Sequence, residues 1–196
     1  MERDMAANNK IPEVIFRRSW LYDQALARKR SFKMPSDDVL KSQVKKLEEV
    51  WEKDGGKILK EIAKVTKSPW HEKEIVCYVT SGVIPYSDPL TLNLSSGVDT
   101  LTHELIHRIL SEPENKKRLQ GNWRKLMAKY EKEPPKTKTH IVVHAIHAAI
   151  LLGLYGEKRL KKTKAAIQEP RYIRSWEIVD RDGYGYILKE LTKSLR

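Results

Sequence analysis

Two histidines and a glutamate in one short stretch, His103, Glu104 and His107, have a spacing that suits metal chemistry. On a helix, positions i and i+4 lie one turn apart on the same face, so His103 and His107 can present two ring nitrogens to one cation. Glu104 points about 100° away from His103 and is better placed to act on a metal-bound water than to bind the metal. The pattern predicts Zn2+ as the cofactor of a hydrolase, with Glu104 as the general base that activates the water.

A hydrolytic zinc ion normally has three protein ligands, and a second predicted helix offers three more histidines. His140, His144 and His147 lie at about 0°, 40° and −20° around that helix and share one stripe. We expect the central His144 to be the third ligand, with His140 as the close alternative. The histidines that do not bind metal, His147 among them, would support a ligand or the oxyanion, and Tyr155 is a weaker oxyanion candidate.

The elements that must position these residues indicate an α+β chain. β-branched and aromatic residues predict a strand over residues 75–80, and period-two alternation predicts a second, half-exposed strand over 90–95. Apolar residues at helical spacing, together with N-cap and Gly/Pro stop signals, predict the helices. In order they cover residues 12–30, 36–55, 58–65, 100–111, 123–127, 139–155 and 173–179, with a final helix after Gly183.

Composition and charge limit the classes of protein to which this chain can belong. The chain has 196 residues and a single cysteine, Cys77, which precludes an internal disulfide and favours a reducing compartment. The N-terminus is polar and the longest apolar run, Ile141 to Tyr155, is short for a membrane span, so we expect a cytoplasmic protein without membrane partners. The net charge of +12 makes nucleic acid a partner to consider through a basic surface.

The segment from His103 to His107 resembles the zinc-binding helix of the zincin metallopeptidases, and the resemblance extends over residues 75–155. It implies a zincin-like fold, in which a small mixed sheet packs on the active-site helix with several flanking helices. It also implies a peptide or protein substrate held along an edge strand, here Leu92, Asn93 and Leu94. The nearest size class is the minigluzincins. Gluzincins use a downstream glutamate as third ligand, which leaves Glu157 or Glu169 open for that role.

These observations predict three segments and leave three functions to compare. Residues 1–70 would form an N-terminal helical arm, 71–155 the catalytic core and 156–196 a C-terminal helical extension. The leading function is a zinc metallopeptidase, which one of the long arms could keep latent by covering the cleft. The alternatives are a basic nucleic-acid-associated protein on a zincin-like scaffold and a non-catalytic metal-binding protein.

Overall fold

A computed structural model describes residues 11–31, 33–193 and 195 of the chain. Its backbone contacts divide the chain into two compact units. The first comprises residues up to 59 together with 70–108, and the second comprises 60–69 together with 109–196. This division follows different boundaries from the three segments predicted above.

The first unit is built on a mixed sheet of four short strands. They are β1 (Glu13–Arg17), β2 (Glu74–Thr80), β3 (Tyr86–Ser87) and β4 (Leu90–Asn93), arranged in the order β1-β2-β4-β3. β2 pairs in parallel with β1 and with β4, while β3 pairs antiparallel with β4. This unit also contains α1 (Trp20–Arg30), most of α2 (Asp37–Thr66) and most of α3 (Val98–Ser111).

The prediction of one helix over residues 12–30 is wrong at its N-terminal end. Val14 and Phe16 are buried while their neighbours are more exposed, which is the period-two pattern of a strand. Val14 lies opposite Ile75 in the parallel pair with β2. The helix itself begins only after Ser19, whose side chain accepts a hydrogen bond from the Tyr22 backbone N–H. A partner strand about 60 residues later in the chain therefore decides the structure of this segment, and local spacing cannot reveal it.

The expected break at Gly55-Gly56 does not occur, because α2 is one helix of 30 residues. The indole ring of Trp51 lies over the backbone of Gly55, and a Cβ atom built there would come within 2.4 Å of it. Glycine at this position therefore makes room for a buried aromatic ring inside the helix, rather than ending it. Phe16 on β1 packs edge-on against the same indole, with ring centroids 6.4 Å apart.

β4, which was predicted to be the edge strand that binds substrate along Leu92, Asn93 and Leu94, is an inner strand of the sheet. It lies between β2 and β3 in the sheet, and Leu92 is fully buried. The Asn93 carboxamide oxygen accepts hydrogen bonds from the Ser95 backbone N–H and hydroxyl and from the Ser96 hydroxyl, which closes the turn after the strand. Leu94 lies in that turn. The expectation that β4 is an edge strand is therefore wrong. β3 pairs only with Leu90 and Thr91, so substrate binding along Leu92, Asn93 and Leu94 stays a prediction.

The second unit is helical and is centred on α5. Its elements are α4 (Pro113–Lys129), α5 (Pro135–Tyr155), α6 (Glu157–Ala165), α7 (Pro170–Asp182) and α8 (Tyr184–Leu191). α5 packs against α6, α7 and α8, and α4 packs against α8. Pro113 does not merely follow α3 but occupies the first turn of α4, where its missing N–H costs no helical hydrogen bond.

By length and composition α5 could cross a membrane, since it has 21 residues and few charges. However, 67% of the most apolar 18-residue stretch of this helix is buried inside the protein. The buried core helix of a soluble protein can have the same length and composition, so the structure is consistent with a soluble protein. The described residues thus form eight helices and a small mixed sheet, which confirms the α+β class.

The two adjacent glycines of α2 should respond in opposite ways to alanine. Gly55→Ala forces a methyl group into the Trp51 ring, so we expect it to lower the free energy of unfolding by about 1–3 kcal/mol. In Gly56→Ala the new methyl group makes only an ordinary contact at 3.8 Å. This substitution should raise the free energy of unfolding by about 0.5–1 kcal/mol through helix propensity. Urea denaturation measures both. Equal effects of the two substitutions would contradict the ring-over-glycine packing.

Candidate metal site

α3 presents its two histidines on one face, as predicted, and an apolar surface on the other. Leu101, Leu105, Ile106 and Ile109 are fully buried. The imidazoles of His103 and His107 are only partly buried, and their ring centroids lie 4.9 Å apart. The apolar face therefore fixes the rotation of the helix, and the two rings lie side by side on the opposite face.

Arg108 ties the C-terminal half of α3 to the sheet unit. Its guanidinium donates to both carboxylate oxygens of Glu72, at 2.6 Å and 2.5 Å, and to the backbone carbonyl of Ser87 at 2.9 Å. A bidentate pair of this kind holds both the position and the orientation of the arginine. Because Arg108 follows His107 directly, this anchor also limits rotation of the helix that bears the histidines.

Glu104 is the buried carboxyl group of α3. Its residue is only 8% exposed, and burial raises the pKa of this carboxyl from 4.5 to about 7. Desolvation disfavours the charged form, which is the physical cause of the increase. A carboxyl group with a pKa near neutrality can both take up and release a proton at pH 7, which suits general acid–base work.

The histidine stripe of α5 is buried within the helical unit and packed by α7. Each of its three histidines is less than 7% exposed. His140 stacks on Tyr172 with ring centroids 4.2 Å apart, and His144 stacks on Trp176 at 4.4 Å. The His147 ring lies 6.4 Å from the same indole. The stripe predicted from helical spacing therefore exists and lies against an aromatic surface.

Hydrogen bonds determine which ring nitrogen carries the proton in two of these histidines. The Nδ1 atom of His140 lies 2.7 Å from the carbonyl oxygen of Lys136, which can only accept. The Ser175 hydroxyl donates to the carbonyl of Tyr172 at 2.8 Å and so accepts from Nδ1–H of His144, also at 2.8 Å. In a neutral ring the proton on Nδ1 leaves the Nε2 lone pair for a metal or another donor. Burial lowers the pKa of His140, despite the bond to Lys136, and so favours the neutral form.

The two imidazoles of α3 are the ligands that one element can offer to a single ion. Their ring centroids lie 4.9 Å apart, and a hydrolytic zinc ion normally needs one more protein ligand. The donor set is all imidazole nitrogen, which suits zinc.

Other predicted site residues lie elsewhere. Tyr155 is fifteen residues after His140 on α5, about 22 Å along the helix axis, and Arg159 lies over its ring. Glu157 is exposed and pairs with Lys161. Glu169 is the N-cap of α7. Burial favours a higher pKa for its carboxyl, but hydrogen bonds from Arg171 and Lys136 outweigh it and lower the pKa to about 2. Tyr155 is therefore too far from His140 to share its site, and Glu169 already has its own partners.

Sequence reasoning missed the contribution of α7. It predicted a helix over residues 173–179 and gave no functional role to Tyr172, Ser175 or Trp176. These residues have the spacing i, i+3 and i+4, which puts an aromatic–hydroxyl–aromatic surface on one helix face. That surface is the signal that could have been matched to the histidine stripe.

Comparisons with protein-family models, with curated proteins and with solved structures found no match to this chain. The chemistry of the site is therefore argued from its own residues.

Removing the Ser175 hydroxyl should destabilise the protein. Ser175 and His144 are both at most 1% exposed, so Ser175→Ala deprives a buried Nδ1–H of its acceptor and should cost about 1–3 kcal/mol of unfolding free energy. The control is Thr139→Ala, which removes an exposed hydroxyl-to-carbonyl bond on α5 and should change stability by less than about 0.5 kcal/mol. Urea denaturation compares them, and equal stability of both variants would contradict the proposed bond.

Glu104 should make the stability of the metal-free protein depend on pH. Between pH 4.5, where the unfolded carboxyl titrates, and about 7, folding takes up a proton, so its contribution to stability rises as the pH falls across this window. Glu104→Gln mimics the neutral form and should exceed wild type by up to about 3 kcal/mol above pH 7, with the gain vanishing below pH 4.5. Denaturation at several pH values with a chelator present measures this difference in unfolding free energy. The control is Glu114→Gln, which changes an exposed carboxyl. A stability gain of Glu104→Gln that does not depend on pH would contradict the raised pKa of Glu104.

Proposed function

We propose that this protein is a cytoplasmic, Zn2+-dependent hydrolase that acts on peptide bonds, with Glu104 as its general base. The observation that carries the proposal is the arrangement on α3, where a buried carboxyl group of raised pKa follows one of two imidazoles whose rings lie 4.9 Å apart. This combination supplies two metal ligands and a proton acceptor from a single turn.

The proposed ligands are His103, His107 and His140. The carbonyl oxygen of Lys136 can only accept a hydrogen bond, so the proton of neutral His140 lies on Nδ1 and its Nε2 lone pair is the one that would coordinate. Metal ligands of this kind commonly donate their other ring N–H to a carbonyl, as His140 does to Lys136. His144 stays as the alternative third ligand, because its Nδ1 is held in the same way by Ser175.

When bound, zinc would polarise the scissile carbonyl and lower the pKa of a water molecule towards 7. Glu104 would take up the proton of that water and return it to the departing nitrogen. An amide nitrogen is a poor leaving group until it is protonated, so a carboxyl that holds and releases a proton near pH 7 favours peptide bonds as the substrate class. Latency through a covering arm stays a prediction.

A non-catalytic metal-binding protein is the second function that these residues could serve. Three imidazoles can bind zinc for structural reasons alone, and then the buried Glu104 would contribute only packing. The two functions differ in one consequence, since only a hydrolase needs a carboxylate in this place.

Zinc content and peptide hydrolysis should separate when single residues are changed. We expect one zinc per chain in wild type and in Glu104→Gln, and loss of stoichiometric zinc in His103→Ala, His107→Ala and His140→Ala. Glu104→Gln should lower hydrolysis of a fluorogenic peptide library by about 10²–10⁴-fold. Elemental analysis after gel filtration and initial rates give the two readouts.

The control is His71→Ala, which changes an exposed histidine and should retain both zinc and activity. Loss of zinc in His144→Ala, with zinc retained in His140→Ala, would transfer the third-ligand role to His144. A zinc-loaded wild type that cleaves no peptide, or a fully active Glu104→Gln, would favour the non-catalytic function.

A further inference from the structure

α4 carries a face of basic side chains that the rest of the chain does not neutralise. Lys116, Lys117, Arg124 and Lys125 are all exposed, and no ion pair is recorded for any of them within the described part of the chain. On the opposite side of the helix Leu119 and Leu126 are buried. The four cations, which we call the α4 basic face, therefore project to solvent from a helix that is fixed by its apolar side.

Other cations near this helix differ because they have internal partners. Lys129 pairs with Asp182 at 3.3 Å, and Arg118 donates to the backbone carbonyl of Lys67 at 3.2 Å. The excess of charge is also regional, since residues 113–196 contain 20 basic and 9 acidic side chains. Four like charges on one helix repel one another and so do not stabilise the fold. A partner of opposite charge therefore accounts for these cations better than folding does.

Gly121 is a second and independent observation on the same face. It lies in the middle of α4, where glycine destabilises a helix relative to alanine. A Cβ atom at this position would have nothing within 4 Å, so no contact with the described chain requires glycine there. Around the helix axis it lies at about 140° from Lys116, between Arg124 at about 80° and Lys125 at about 180°. A missing side chain in a basic face lets another molecule approach the helix backbone closely.

We propose that α4 docks in the major groove of double-stranded DNA through the α4 basic face. A helix of 17 residues is about 25 Å long, and the B-form major groove, about 12 Å wide, admits an α-helix. Lys116 and Lys125 point to opposite flanks of the face and reach phosphates of the two strands. Lys117 and Arg124 point between them towards the groove floor, and Gly121 permits the close approach. Most of the affinity comes from phosphate contacts.

Two other polyanions fit the face less well. The major groove of A-form RNA is deep and narrow, so a helix cannot enter it. An anionic membrane needs apolar side chains that insert beside the cations, and the large exposed apolar residues recorded for the described chain include none from α4. DNA is therefore the occupant that the shape and charge of α4 favour.

Fluorescence anisotropy with a labelled DNA duplex at several salt concentrations tests the proposal on the full chain. The two phosphate contacts of Lys116 and Lys125 predict a slope of log K against log salt of about −1.8, which is a loss of about 12-fold between 50 and 200 mM salt. Lys116→Glu with Lys125→Glu should weaken binding by at least about tenfold and make the slope less steep by about two. Lys45→Glu with Lys46→Glu on α2 changes the net charge equally and should bind nearly as wild type.

Gly121 gives the sharper test, because its substitution should favour the helix and oppose docking. Gly121→Glu should fold with an unchanged or raised unfolding midpoint and bind DNA at least about tenfold more weakly, whereas Gly56→Glu on α2 should bind as wild type. Equal binding by Gly121→Glu and wild type would overturn the proposal. So would equal loss in both charge-reversal pairs, or preferential binding of duplex RNA or anionic vesicles. Glu104→Gln should leave DNA binding unchanged, which separates this inference from the hydrolase proposal.

Discussion

The helical unit depends on one constraint, which is the burial of three imidazole rings that project from the apolar helix α5. A ring nitrogen removed from water costs free energy unless it finds a hydrogen-bond partner, so α5 can carry its histidines only where partners are built in. The Lys136 carbonyl and the Ser175 hydroxyl supply them for His140 and His144. Tyr172 and Trp176 cover the ring faces. The same contacts that make burial tolerable also fix the proton on Nδ1, and they thereby turn both Nε2 atoms into potential metal ligands.

At Glu104 burial changes the pKa of a side chain, whereas at His140 and His144 the hydrogen bonds that accompany burial decide which ring nitrogen carries the proton. Its carboxyl lies on the largely buried helix α3, and desolvation raises its pKa to about 7. The helix that carries this carboxyl is anchored by its leucines and isoleucines, which are fully buried, so Glu104 is held in its desolvated position. Packing and proton affinity are therefore linked on α3, as packing and tautomer are linked on α5.

Sequence reasoning succeeded where the deciding forces are local. The helical spacing of His103 and His107 and of the α5 stripe follows from 3.6 residues per turn, and both faces have the expected form. It failed where a distant partner decides. Residues 13–17 look helical by composition but pair with β2, and Gly55-Gly56 looks like a stop signal but accommodates Trp51. Likewise, β4 was expected at an edge, and only the pairing with β3 shows that its first residues already have a neighbour.

By itself the sequence determined the chemistry that is available to this protein. It specified two imidazoles and a carboxyl on one turn, three further imidazoles on one helical stripe, and an excess of cations after residue 113. Only the tertiary structure decided which histidine nitrogens carry protons, how far Glu104 is removed from water and which cations keep no internal partner. The physical reason is that periodicity depends on neighbours along the chain, whereas desolvation and hydrogen bonding depend on groups that folding brings from elsewhere in it.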